Sequence, residues 1–218
     1  MWTPAPFRLE DTAALHDLIR AHPFGIVVSA DDHAPLATHL PLMVDPARGP
    51  NGALLGHMAR ANPHWSAWTA DKEVLVIFRG GGAYVSPNWY EDRVTVPTWN
   101  YVAVHVYGTP ILIHDVEILR DLTTALTHRH ERSVRGDWEL AEAEPIMDAE
   151  LRGIVGFEIP IARIVGKAKL NQNRSRADQA GVARALFASD SASDRSLGRH
   201  MRRALGEDES SADLDPGR

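Results

Sequence analysis

Two stretches of the chain carry residue types that could hold a ligand. In GKAKLNQNRS, residues 166–175, Lys167 and Lys169 fall on one side of an extended segment together with Arg163. Ala162, Ile164, Gly166, Ala168 and Leu170 fall on the other. Three cations along one strand face, followed by the amides of Gln172 and Asn173 and the hydroxyl of Ser175, suit an anionic group such as a phosphate. A solvated edge strand protected by its lysines explains the same pattern, so the pattern alone leaves both readings open. In VPTWNYVAVHVYG, residues 96–108, Val102, Val104 and Val106 form one face and Trp99, Tyr101, His105 and Tyr107 the other. The first is core material; the second would suit a flat aromatic ligand.

The remaining candidates are weaker. Arg60 lies on the same face of its strand as Gly56, where a missing side chain permits close approach, while His57 points the other way. His39, His57, His64 and His105 come from elements expected to neighbour one another in a small barrel. Each is by itself more readily a hydrogen-bonded structural residue than a ligand. No closely spaced ligand pair such as HExxH is present, and no nucleophile elbow, Walker loop or dinucleotide fingerprint. The run Gly80–Gly82 follows a strand but lacks the spacing of a phosphate loop.

The elements that must position these residues are mostly strands. A short helix is expected within EDTAALHDLIRAHP, capped by Asp11 or Thr12. Strands follow at FGIVVSA, LATHLPLMV and ALLGHMAR, joined by the turns DDHAP and DPARGPNG. ANPHWSAW reads as one or two helical turns capped by Asn62. EVLVIF and AYVS read as two further strands, and residues 96–108 as another. Helices are expected over VEILRDLTTALTHRHE with Asp115 as cap, around Trp138 to Leu151, and at RADQAGVARALFA. IVGFEIPIARIVGKAKL reads as one long last strand. Short antiparallel strands with a few helices point to a small closed or partly closed barrel with helices outside.

The chain has 218 residues, enough for one well-buried domain with appendages. It has no cysteine, which excludes disulfides, thiolate metal sites and cysteine nucleophiles and fits a cytoplasmic location. No apolar run is long enough to span a membrane, and MWTPAPFRLEDTAAL lacks the design of a secretory signal. A net charge of −6 disfavours direct DNA binding. The basic amphipathic stretch at 196–206, with Leu197, Met201 and Leu205 on one face, reads as a peripheral docking helix rather than a DNA reader. The acidic end, EDESSADLDPGR, is expected to be disordered.

GHMARANPHW, AYVSPNWY, VPTWNYVAVHVYG and GKAKLNQNRS resemble, in order and spacing, the signatures of the PaiB-type FMN-binding negative transcriptional regulator family. WTPAPF and ATHLP resemble it too, so the likeness covers residues 1–187 and leaves 188–218 as a C-terminal extension. It implies a mainly β, α+β fold: a split antiparallel β-barrel of the FMN-binding type with peripheral helices. It further implies a homodimer with ligand sites at the subunit interface, a small-molecule substrate, and a regulatory or flavin-linked redox role. The cofactor-binding residues expected from the strand faces and the matching motifs are Arg60, Trp99, Tyr101, His105, Lys167, Lys169, Gln172 and Asn173. Where the family reads GPHAY, SPSWY and KLSQN, this chain has Gly82, Asn88 and Asn171. The same family includes piperazate synthase-like proteins that use haem to form an N–N bond in N-hydroxyornithine. If haem were the cofactor here, His57 or His105 would be its axial ligand.

Overall fold

The alternation in residues 98–108 survives folding. Val102, Val104 and Val106 are buried, while Tyr101, His105 and Tyr107 are half-buried and Trp99 is exposed. A computed structural model describes residues 1–30 and 34–207. In chain order its elements are β1 (Arg8–Leu9), α1 (Thr12–Ala21), β2 (Phe24–Ser29), β3 (Leu36–Asp45), β4 (Ala53–Ala59), β5 (Val74–Val85) and β6 (Thr98–Gly108). There follow β7 (Ile111–Ile113), α2 (Val116–Glu131), α3 (Glu144–Arg152), β8 (Ile154–Pro160), β9 (Arg163–Lys169), α4 (Arg176–Phe187) and α5 (Ala192–Ala204). The strands join in the order β1-β9-β6-β5-β2-β3-β4-β8-β7. The pairs β1–β9, β2–β3, β2–β5, β3–β4, β4–β8 and β7–β8 are antiparallel.

Two of the expected strand divisions change. EVLVIF and AYVS belong to one strand, β5, which runs on through Gly80–Gly82. The last apolar run is two strands, β8 and β9. The chain breaks at Ile161 and Ala162, whose N–H groups donate to the carbonyls of Gly52 at 3.0 Å and Tyr107 at 2.9 Å. Residues 208–218 of the acidic end and residues 31–33 of the first hairpin turn lie outside the described residues.

The chain divides into two compact units. One comprises residues 1–15, 79–104 and 165–218, the other residues 16–78 and 105–164. In the first, β1 pairs with β9 so that Arg8 stands opposite Lys167. The helix α4, capped by Ser175, packs against α5. The Leu197, Met201 and Leu205 face of α5 is buried, so this helix is part of its unit's core. The second unit carries β2, β3, β4, β7 and β8. There α2, whose cap Asp115 accepts the N–H groups of Glu117 and Ile118, lays Leu122 and Leu126 against Leu55 of β4. No helix among the described residues is long and apolar enough to cross a membrane.

Candidate functional site

In the first unit, β9, β6 and β5 are neighbours, which places the predicted Lys167 against the predicted Tyr101. Lys167 is only 5% exposed. Its Nζ sits 4.9 Å from the ring centroid of Tyr101 and 5.3 Å from that of Trp2, and donates to the Trp2 carbonyl at 3.4 Å. Lys169, two residues on, donates to Thr98 Oγ1. Among the described residues neither ammonium has a carboxylate at ion-pairing distance. Burial, and next the charge of Lys167, hold Lys169 below the ordinary lysine value, against a smaller opposing pull from Tyr101. A buried cation facing only carbonyl and aromatic partners is costly, and an anion beside it would offset that cost.

Beside Tyr101 the position of Gly82 carries no side chain. A Cβ built there would lie 3.6 Å from the Tyr101 Cβ and 3.8 Å from Arg79 Nη2, ordinary contact distances, so a methyl group would fit. Gly81 differs: its Cβ would stand 2.6 Å from the backbone N of Leu197, so α5 requires glycine there. Next along the face, Tyr84 and Trp99 meet edge to face, their centroids 6.3 Å apart, and both are exposed.

Other predicted site residues have local work. Gln172 accepts from the Leu170 N–H at 2.7 Å and donates to the Ala168 carbonyl, so its amide closes the end of β9. Asn173 is exposed. Asn171 takes the left-handed conformation with φ 65°, which asparagine tolerates, and donates to Tyr90 Oη at 3.0 Å. Arg174 donates to Thr95 Oγ1 and lies over the Tyr90 ring, while Ser175 caps α4.

In the second unit, Arg60 donates through Nε to the Arg152 carbonyl at 2.9 Å and through Nη2 to the Ile154 carbonyl at 2.7 Å, tying β4 to the segment leaving α3. Arg163 stacks on Tyr107, 3.5 Å from its ring centroid. His64 is buried with both ring nitrogens engaged, Nε2 with Ser29 Oγ at 2.8 Å and Nδ1 with Thr38 Oγ1 at 2.7 Å. His57 and His105 each keep a buried Nδ1 without a hydrogen-bond partner. Burial holds both imidazoles below their ordinary value, hence neutral near pH 7. Among the described residues no three potential ligands cluster as a metal site.

Sequence reasoning missed Trp2 and Arg79. Trp2 meets Lys167 only through the β1–β9 pairing, and what Arg79 lies beside depends on Gly82 of its own strand and Tyr101 of the next.

The fold is a split antiparallel barrel of the flavin-binding class. The family described as "Putative FMN-binding domain" matches residues 1–163. The protease synthase and sporulation protein PAI 2 of Bacillus subtilis is 35% identical over 187 residues, covering 85% of this chain and 89% of that protein. The chain belongs to this PaiB-type FMN-binding family. Two solved structures share the fold: the flavocytochrome Anf3 of Azotobacter vinelandii and the FAD and heme binding protein of Mycobacterium smegmatis. The first has a TM-score of 0.57 at 13% identity, covering 80% of this chain and 75% of its own. The second has 0.56 at 16%, covering 79% and 78%.

Proposed function

We propose that this chain binds FMN on the open face of β5, β6 and β9 and serves a flavin-linked redox or regulatory role toward a small-molecule substrate in the cytoplasm. The observation that carries the reading is the lysine pair without a carboxylate. Lys167 and Lys169 would hold the dianionic phosphate, while Tyr101 and Trp99 would wall the ring system over the bare Gly82. Bound there, FMN would supply a redox-active ring system; the chain's own residues bind it and exclude water. Residues 1–187 form the ligand-binding domain in this reading, and 188–218 an extension. The net charge of −6 gives no support to direct reading of DNA.

A homodimer belongs to the same reading. Trp99 is 61% exposed, and Val94, Val96 and Tyr84 of the same unit are exposed with it, an apolar load that a second copy would cover. Haem is the second reading, favoured by the unpartnered Nδ1 atoms of His57 and His105, and would make the chain a piperazate synthase-like enzyme.

Titration of the full chain with FMN, followed by flavin fluorescence, tests the first reading. Lys167→Glu and Lys169→Glu should each weaken binding by roughly 10- to 100-fold, the worth of a charge-assisted contact. Unchanged affinity in both variants overturns it. A Soret band in the purified protein that collapses in only one of His57→Ala and His105→Ala would establish haem instead.

A further inference from the structure

The burial pattern of β5 slips by one residue. Val74, Val76 and Phe78 are buried at even positions; Gly81, Ala83 and Val85 are buried at odd ones. Arg79 and Gly80 therefore stand consecutively on the uncovered side. Strict alternation from Val74, Val76 and Phe78 already turns Arg79 outward, and Gly80 is the residue out of phase. Arg79 Nη2 lies 3.8 Å from where a Gly82 side chain would begin, on the side of the sheet where Tyr101 stands. Arg79 is exposed, and among the described residues no carboxylate pairs with it.

Lys167 and Arg79 flank Tyr101 from strands on opposite sides of β6. Two inter-strand spacings, about 10 Å, separate the backbones of β9 and β5, so the two cations reach the face from opposite sides of Tyr101. The face thus offers two anion positions with an aromatic wall and a side-chain-free floor between them. Guanidinium is the better match for a planar carboxylate, which it can hold through two parallel N–H donors.

Resting on the FMN reading, we propose that Arg79 is the substrate-orienting residue of this site, and that the substrate class is small planar organic acids bound through their carboxylate. The lysine pair serves the cofactor's phosphate and Arg79 the substrate. A neutral amide of the same shape keeps the stacking and one carbonyl acceptor but loses the charge and the second acceptor oxygen.

The test uses the full chain loaded with FMN and two probes of equal shape, benzoate and benzamide, titrated against the flavin absorption bands and by probe line broadening in NMR. Benzoate should bind about tenfold tighter than benzamide, the worth of a hydrogen bond to a charged partner. Arg79→Gln should abolish that preference and Arg79→Lys keep part of it, while FMN affinity in Arg79→Gln stays within about threefold of the parent. The proposal is overturned if the parent shows no preference for benzoate, or if the preference survives in Arg79→Gln. It is equally overturned if Arg79→Gln weakens FMN as much as Lys169→Glu does, which would assign Arg79 to the phosphate. A chain that takes up no FMN brings down both readings; one that takes up FMN without the benzoate preference brings down only this one.

Discussion

Replacing His64 with leucine tests whether this histidine is structural, and its cost can be worked from three contacts. The ring is 2% exposed, shares hydrogen bonds with Ser29 and Thr38, and meets Trp68 edge to face at 5.5 Å. Leucine restores most of the volume but leaves the Ser29 hydroxyl, on a residue 5% exposed, without its partner. An orphaned buried hydroxyl costs about 1–3 kcal/mol. Thr38 loses less, because Asn62 Nδ2 still donates to it at 3.3 Å and water can reach it. The lost ring contact adds about 0.5–1 kcal/mol. The sum is about 1.5–4 kcal/mol, read as a shift in urea midpoint at unchanged slope. Adding Ser29→Ala to His64→Leu removes the orphan and should return about 1 kcal/mol, which a double-mutant cycle isolates. The pH dependence gives an independent check. Burial holds His64 below the ordinary histidine value of 6.5, so below that pH the unfolded chain binds more protons than the folded one. Stability is therefore full above about pH 6.5 and falls as pH drops toward the depressed folded value. His64→Leu lacks this contribution, so the gap between parent and variant should narrow on acidification. A cost below about 0.5 kcal/mol, or a gap that stays constant with pH, would refute the structural assignment.

The two glycines on β5 should part company. Gly81→Ala forces α5 backbone away from a contact of 2.6 Å and should destabilise by about 1–3 kcal/mol, checked by urea unfolding, whereas Gly82→Ala should leave stability near the parent's and weaken FMN binding measured by fluorescence. For the homodimer, light scattering at micromolar concentration should return twice the 24.0 kDa chain mass, and Trp99→Asp should shift it toward the single chain.

Much of this arrangement was legible before folding. The valines and aromatics of β6 alternate without interruption, and Asp115 stands at the start of an apolar period, so strand and capped helix both follow from local pattern. Where the pattern carries no side chain, it fails. Gly80–Gly82 has no alternation to read, so the pattern splits β5 in two at the point where its buried positions change from even to odd. The break between β8 and β9 is invisible for the opposite reason. Alternation continues through Ile161 and Ala162, and only their tertiary hydrogen bonds to Gly52 and Tyr107 end the first strand. The lysines were legible as a strand face, but not the burial of Lys167, which needs Tyr101 from the neighbouring strand and Trp2 from the start of the chain. Arg60 had the right type and face, yet two backbone carbonyls engage its guanidinium.

The unpartnered histidines can be ranked by the face each one serves. His57 lies two residues from Leu55 on β4, and Leu55 packs against Leu122 and Leu126 of α2. Its partner in register on β8 is Gly156, where a Cβ would meet Leu119 of the same helix at 2.5 Å. Paired residues in adjacent strands project to the same side, so His57 faces the layer that α2 covers. A flat macrocycle could reach it only by displacing that helix. His105 instead continues the Trp99, Tyr101 and Tyr107 side of β6, the aromatic side of that strand. The haem reading therefore narrows from two imidazoles to one without appeal to any relative. The same reasoning favours the flavin reading, because an axial ligand needs a single well-placed neutral imidazole, whereas the strongest uncompensated feature among the described residues is a pair of cations.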